Sequence, residues 1–379
     1  MRFEQGPIRP PSEAGSLLLR FTRNCPWNRC TFCPVYKGQS FSRRSLEEIK
    51  RDIDAVAEIL EETASLSRSM GYDGQLTRQV ASAVLSDPSR TEQFRHVVLW
   101  ALGGKGTVFI QDANSLVLET AVLVEALRHL TQRIPGVQRI TSYARSSTLA
   151  RKSLEDLKAI REAGLDRIHI GLESGSDTVL AFVQKGATAA QHIEAGRRVI
   201  EAGMTLSEYV MPGLGGKTWW REHAVETARV LNEIDPHFIR LRSLRIPPHV
   251  PLHADLETGH FIPLSDDEMV QEIRLFLENL HPTRSVLTSD HIMNLLQEVE
   301  GRFPEDKPAM LAVIDRYLEL PEDERFLFRL GRRGGALQSM EDLKDPGIRK
   351  KLERARAELQ AATGQDIEAI ITQLGDRYI

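Results

Sequence analysis

Residues 167–177 read RIHIGLESGSD. The first seven alternate, with Ile168, Ile170 and Leu172 on one face and His169, Gly171 and Glu173 on the other. That period of two predicts a strand with one apolar and one polar face. RITSYAR (139–145) groups Thr141, Tyr143 and Arg145 in the same way, and HFIRLRSL (237–244) opposes Ile239 and Leu241 to Arg240 and Arg242. SLLLRFT (16–22), GTVFIQD (106–112) and TLSEYVM (205–211) complete a set of six. Helix-compatible segments separate them, which predicts parallel βαβ units and an α/β fold: a partial (β/α)6 TIM-like barrel. A closed eight-stranded barrel is filled by branched apolar residues. Polar inner faces instead predict a wider, open barrel with a ligand inside. The alternative is a sheet with one face in water, which the covering helices oppose.

The expected domains are a lead-in at 1–14, the partial barrel at 15–250 and a mainly helical extension at 251–379. A helical insertion is expected at 63–106. Ser45 and Glu48 open the helix SLEEIKRDIDAVAEILEE with a capping-box pattern. The formal charge of −4 gives no basic field for nucleic acid. No apolar run approaches the roughly 20 residues that span a bilayer. MRFEQGPIRPPSEAG has no secretion-signal core, so a cytoplasmic location is expected.

The chain has three cysteines, Cys25, Cys30 and Cys33, all in the loop CPWNRCTFC after the first strand. Thiolates so spaced converge on a metal or an iron–sulfur cluster. Structural zinc takes four protein ligands, whereas three thiolates on a four-iron cluster leave one iron open. The alternatives are an accidental grouping, a redox pair, or zinc completed by one of 11 histidines.

A strand, a three-cysteine loop and five βα units with polar inner faces resemble the radical SAM superfamily. Phe32 fits that family's loop. IGLESGSD (170–177), Lys185-Gly186 and MPGLGG (211–216) resemble its Elp3-like and HemN-like subgroup. One departure is the spacing: four residues, not three, separate Cys25 from Cys30. The resemblance covers about residues 15–250. It implies a [4Fe–4S] cluster held by Cys25, Cys30 and Cys33, and S-adenosylmethionine (SAM) chelated at the open iron. Reductive cleavage of SAM to a 5′-deoxyadenosyl radical, which takes hydrogen from an organic substrate, is then the expected reaction. Oxygen sensitivity, anaerobic operation and a flavodoxin- or ferredoxin-like donor follow.

The resemblance also implies SAM contacts at the strand ends. Gln111, Asp112 and Asn114 replace the family's usual amine-binding segment, and Asp112 is the group to receive the ammonium. Arg145 would pair with the methionine carboxylate, or else form a surface ion pair. Glu173, with Ser174 beside it, would accept from the ribose hydroxyls. The backbone at Gly213 and Gly215 would approach the adenine or ribose, or else merely turn the chain. Tyr209, Arg240, Arg242 and Arg245 form a possible substrate pocket for an anionic group, unless Glu208 or other carboxylates neutralise the arginines. SDHIMN (289–294) is read either as a polar cover for that pocket or as a capped helix start. No fourth cysteine remains for an auxiliary cluster, and no cobalamin-binding signature is present. Two rival functions are a cluster-binding sensor or scaffold without SAM turnover and a zinc-dependent barrel hydrolase. A small-molecule substrate is favoured over protein or RNA.

Overall fold

The computed structural model describes residues 2–281, 284–362 and 374. Eight strands run in chain order along one sheet: β1 (Leu17–Arg20), β2 (Thr107–Gln111), β3 (Arg139–Ala144), β4 (Leu165–Glu173), β5 (Thr205–Val210), β6 (Phe238–Leu241), β7 (Val286–Thr288) and β8 (Gly301–Arg302). The six expected strands are all present. β1 to β4 pair in parallel, as do β5, β6 and β7, and β8 closes the edge antiparallel to β7. The fold is α/β, consistent with a partial TIM-like barrel. β7 and β8 lie within the stretch expected to be mainly helical. Three and two residues are too few to show a period of two in the sequence.

The chain forms two compact units, one of residues 1–28, 35–171 and 194–206, the other of 29–34, 172–193 and 207–379. In the first, β1 to β4 are flanked by α1 (Leu46–Ser69), α2 (Arg78–Ser86), α3 (Glu92–Gly103), α4 (Thr120–Arg133) and α5 (Leu154–Glu162). α1 forms because Ile49, Ile53, Val56 and Ala57 recur at helical spacing on one buried face. The capping box at its start is real: Glu48 N–H donates to Ser45 Oγ at 3.2 Å, and Ser45 N–H to Glu48 Oε2 at 2.8 Å. α1 packs on α4 and α3. The expected insertion at 63–106 is the end of α1 followed by α2 and α3.

On the polar faces of β3 and β4, Thr141 and His169 have no exposed surface, whereas Tyr143 and Glu173 are half-buried. His169 lies against the rings of Tyr143 and Phe109, at centroid distances of 5.6 and 6.3 Å. Its Nε2 is 3.7 Å from Glu13. Burial of Glu13 raises its pKa, but hydrogen bonds from His169 and Ser16 and the charge of Arg139 bring it down to about 2.

The second unit holds most of β5, then β6 to β8. Its helices include α6 from 189, which ends in the first unit at Glu201, then α7 (Gly216–Ile234), α8 (Asp266–Asn279), α9 (Lys307–Leu318), α10 (Glu322–Arg333) and α11 (Pro346–Ala362). α8 packs on α7 and α9, and α10 on α11. The extension is mainly helical, as expected, with residues 363–373 and 375–379 outside the described set. No helix among the described residues is long and apolar enough to cross a membrane.

The Ser45 cap is a direct test of local folding. Ser45→Ala should lower stability by about 1 kcal/mol. Urea denaturation would show a lower midpoint with an unchanged slope; an unchanged midpoint would count against the cap.

Candidate functional site

The cysteine loop is tied at its base by a two-residue antiparallel ladder, Thr22–Arg23 against Ser42–Arg43. Asn24 (φ 67°) and Asn28 (φ 46°) take left-handed backbone, which asparagine tolerates better than most residues. Asn28 also donates its amide to the carbonyl oxygens of Tyr36 (2.6 Å) and Gln39 (3.2 Å). Its backbone N–H reaches Cys25 Sγ at 3.4 Å, the type of bond that supports a thiolate ligand and tunes a cluster. Cys30 is buried, while Cys25 and Cys33 are half-buried. Cys30 Sγ stands 3.9 Å from the Lys185 carbonyl, a contact open to the thiol but not the thiolate.

Among the described residues, no three or more Cys, His, Asp or Glu side chains are gathered to hold one metal ion. In a cluster each thiolate binds a different iron, which calls for wider spacing than the shell of a single zinc. Three thiols on one loop, with an N–H already directed at a sulfur, fit the cluster better.

In the first unit the β2 end is heavily engaged. Gln111 Oε1 accepts from Gly6 N–H (2.8 Å), and its Nε2 donates to the carbonyls of Gly6 (2.9 Å) and Ile8 (3.0 Å). The side chain expected to meet SAM therefore straps the N-terminal segment. Asp112 is fully buried in left-handed backbone (φ 70°), bound by Arg20 Nε and by Tyr36 Oη at 3.0 Å. Burial raises its pKa against the opposing pull of Arg20 and Tyr36. Asn114 Nδ2 donates to Thr148 Oγ1 (2.8 Å), and its Oδ1 accepts from Arg145 N–H (3.3 Å). The Arg145 guanidinium lies over the Trp27 ring at 5.3 Å, beside the cysteines in sequence.

In the second unit Glu173 ends β4 at φ 64°. Its carboxylate meets Lys185 Nζ at 2.9 Å, and its carbonyl accepts from Met211 N–H at 3.0 Å. Ser174 is buried: its Oγ accepts from Ser176 N–H (3.1 Å) and pairs with His223 Nδ1 (2.8 Å). Its hydroxyl is thus committed to the protein. A Cβ on Gly175 would lie 2.3 Å from the Glu226 carbonyl oxygen. The MPGLGG loop is similarly tight. A Cβ on Gly213 would meet Met269 at 2.9 Å, and one on Gly215 would meet Trp219 at 2.9 Å. The close approach that these glycines permit is to the protein's own helices, the turn reading of the sequence.

Residues 81–228 match the model of the Radical SAM superfamily. Over that stretch the chain is similar to the radical SAM superfamily. Members of the superfamily use a [4Fe–4S] cluster and SAM. A curated relative, the uncharacterized protein MJ0486 of Methanocaldococcus jannaschii, is 24% identical over 139 residues. The match covers 36% of this chain and 42% of the relative, so the chain aligns with well under half of that protein. Among solved structures, Methanocaldococcus infernus Elp3 lacking its N-terminus is similar at 14% identity, with 56% and 53% coverage and a TM-score of 0.41. Methylornithine synthase has 14% identity, 79% and 69% coverage and a TM-score of 0.42. Coproporphyrinogen III oxidase of Escherichia coli has 14% identity, 67% and 50% coverage and a TM-score of 0.43.

The expected substrate-pocket residues are divided. Arg240 Nε donates to Ser207 Oγ (3.1 Å), and its Nη1 reaches Thr288 Oγ1 (3.2 Å) and Asp290 Oδ2 (3.4 Å). Arg242 lies over the Tyr209 ring at 4.7 Å. Arg245 lines a separate cavity. Glu208 does not neutralise Arg240, whose carboxylate partner is Asp290. Glu208 is fully buried, and both its oxygens lack hydrogen-bond partners among the described residues. Burial pushes its pKa well above the ordinary range; Lys185 opposes this and Glu173 adds to it. SDHIMN starts no helix. Ser289 Oγ instead donates to the Leu296 carbonyl (3.0 Å), and Asn294 binds Ser243 and the Leu241 carbonyl.

The sequence reading missed His223 and Glu272. His223 Nε2 faces the Met211 carbonyl at 3.1 Å and stands 3.7 Å from Glu272, which accepts from Gly213 N–H at 2.7 Å. Burial lowers His223 to about 4 and raises Glu272 to about 8. Both are therefore neutral at pH 7, so burying them leaves no uncompensated charge. Neither lies in a motif; each reads as a lone polar residue on an amphipathic helix.

The raised Glu272 pKa has a definite sign. Above the unfolded value near 4.5 the unfolded chain releases this proton while the folded chain keeps it, so stability falls as pH rises towards 8. Glu272→Gln keeps the acceptor for Gly213 and removes that loss. The variant should gain on the parent between pH 5 and 8, by at most about 1.4 kcal/mol per pH unit. Parallel stability curves from urea titrations would contradict the neutral assignment.

Proposed function

We propose that this chain is a radical SAM enzyme in which Cys25, Cys30 and Cys33 hold three irons of a [4Fe–4S] cluster and Glu173 helps to bind SAM. The observation that carries the reading is Lys185. Its carbonyl lies beside the Cys30 thiol, and its ammonium ion-pairs with Glu173. One residue thus connects the second cysteine to the β4 carboxylate. A ligand that chelates the cluster and also extends a ribose needs those two groups close together.

When bound, the cluster supplies an electron to the sulfonium of SAM, releasing methionine and a 5′-deoxyadenosyl radical able to take hydrogen from an organic substrate. The residues hold and orient. Lys185 holds Glu173 in place through one carboxylate oxygen, so the other, without a partner among the described residues, can accept from ribose hydroxyls. Arg145, held over Trp27, supplies a cation for a carboxylate beside the cysteine loop. Gln111, Asp112 and Ser174 are committed to protein partners and are given no part in gripping the ligand. A small organic substrate and a flavodoxin- or ferredoxin-like electron donor complete the proposal.

The test is anaerobic reconstitution followed by iron and sulfide analysis, then dithionite and SAM with 5′-deoxyadenosine read by mass spectrometry. Four irons per chain and product formation are expected, with both lost in Cys30→Ala. A Cys30→Ala protein with full iron content and full product formation would sink the ligand assignment. Glu173→Gln should keep the cluster and weaken SAM binding about tenfold, the worth of one charge-assisted hydrogen bond. Unchanged SAM affinity by equilibrium dialysis would remove Glu173 from the site.

A further inference from the structure

β6 ends in the second unit with arginines at 240, 242 and 245, and their surroundings differ. Arg240 is 6% exposed and is held by Ser207, Thr288 and Asp290. Arg242 has no carboxylate within ion-pair distance among the described residues. It is half-buried, and its guanidinium is stacked on the Tyr209 ring, itself 4% exposed. A partly desolvated cation without a counter-charge is costly. The aromatic platform offsets some of that cost and holds the planar fork in one orientation.

His291 adds a second group. Its Nδ1 is buried without a hydrogen-bond partner among the described residues. Burial and the charges of Arg242 and Arg245, only partly opposed by Asp290, lower its pKa to about 4. It is therefore a neutral imidazole in a positive field. From Arg242 the chain runs directly into the wall of a cavity of about 680 Å³, lined there by Leu244, Arg245 and Ile246, with Met269 across from them. Of the four acids on that wall, Asp266 binds Arg333 at 2.5 Å, Asp267 binds Arg325 at 2.9 Å and Tyr317 at 2.5 Å, Glu268 pairs with Lys217 at 2.9 Å, and Glu322 is exposed. They do not neutralise Arg242.

We propose that the carboxyl end of β6 binds an organic anion, with Arg242 on its Tyr209 platform gripping a carboxylate or phosphate and Leu244, Ile246 and Met269 receiving the apolar body. Guanidinium and acid group form two parallel hydrogen bonds, and His291 accepts or donates a third according to its tautomer. As the anchor of a substrate the site rests on the radical SAM reading; the binding itself does not. Carboxyl ends of parallel strands are where such folds place their ligands.

The experiment uses the full chain as purified and three probes with the same alkyl body: hexanoate, hexyl phosphate and 1-hexanol. Saturation-transfer proton NMR titrations give the affinity of each for the parent, Arg242→Gln, Arg242→Lys and the exposed control Arg284→Gln. One or both anions should bind the parent and the control, and hexanol at least about tenfold more weakly, since it lacks the charge-assisted pair. Arg242→Gln should lose about tenfold in anion affinity, and Arg242→Lys should lose less because it keeps the charge but not the fork. Whichever anion binds more tightly identifies the head group. Equal binding by folded Arg242→Gln, hexanol binding as tight as the anions, or no anion binding to the parent would overturn the proposal. Should Arg242→Gln not fold, Arg242→Lys with full parental affinity would overturn it as well. Anion binding without 5′-deoxyadenosine in the reconstituted assay would leave the site standing and remove its catalytic role. Product formation without anion binding would overturn the site and leave the radical SAM reading standing.

Discussion

The backbone turns out of β2 and β4 through acidic residues in left-handed conformation, Asp112 and Glu173, each ion-paired to a cation of its own unit. Such a conformation costs a residue with a Cβ roughly 1 to 3 kcal/mol, so it persists only where surrounding contacts over-determine it. Arg20 and Tyr36 do this for Asp112; Lys185 and the Met211 amide do it for Glu173. The bends turn the chain at the strand ends, where Gln111, Asp112 and Ser174 are buried. Both carboxylates are held by the same kind of bond, yet they differ in freedom. Asp112 is enclosed by its partners, whereas Glu173 keeps a small exposed fraction and one unused oxygen.

Around Glu173 the second unit is stiffened by uncharged polar contacts. His223 joins Ser174 to the Met211 carbonyl, Glu272 takes the Gly213 amide, and Gly175 leaves no room for a side chain against α7. A buried network of neutral groups fixes two loops without the desolvation cost that ionised groups would impose. The glycines of MPGLGG serve packing in the same way. Within the second unit, Glu173 is left with a small exposed fraction, and Arg242 with no carboxylate partner among the described residues.

Much of this was legible in the sequence, because it depends on near neighbours. Alternation in RIHIGLE and RITSYA located the strands, and Ser45 with Glu48 located a cap, since partners one to four residues apart leave a local pattern. The engagement of Gln111 by Gly6 and of Ser174 by His223 was not legible, because those partners are 105 and 49 residues away. β7 escaped for a related reason: Val286–Thr288 is a strand only because β6 lies beside it. Ser289 looked like a helix cap, but its hydroxyl is taken by the Leu296 carbonyl. The cysteine loop stands out in the sequence as a candidate ligand set from residue type and spacing alone.

The strap closed by Gln111 also bears on the order of events during synthesis. Gly6 leaves the ribosome first, and β1 soon after, yet the residues that complete them, Gln111 and β2, follow about a hundred positions later. At about 5 to 20 residues per second, these segments wait roughly 5 to 20 s for their partners. During that interval α2 and α3, which pack on each other, can form without them, while the apolar run Leu17–Leu19 lacks its partner strand. β1 is therefore made long before it can pair, and its apolar run is open to misassociation until β2 emerges.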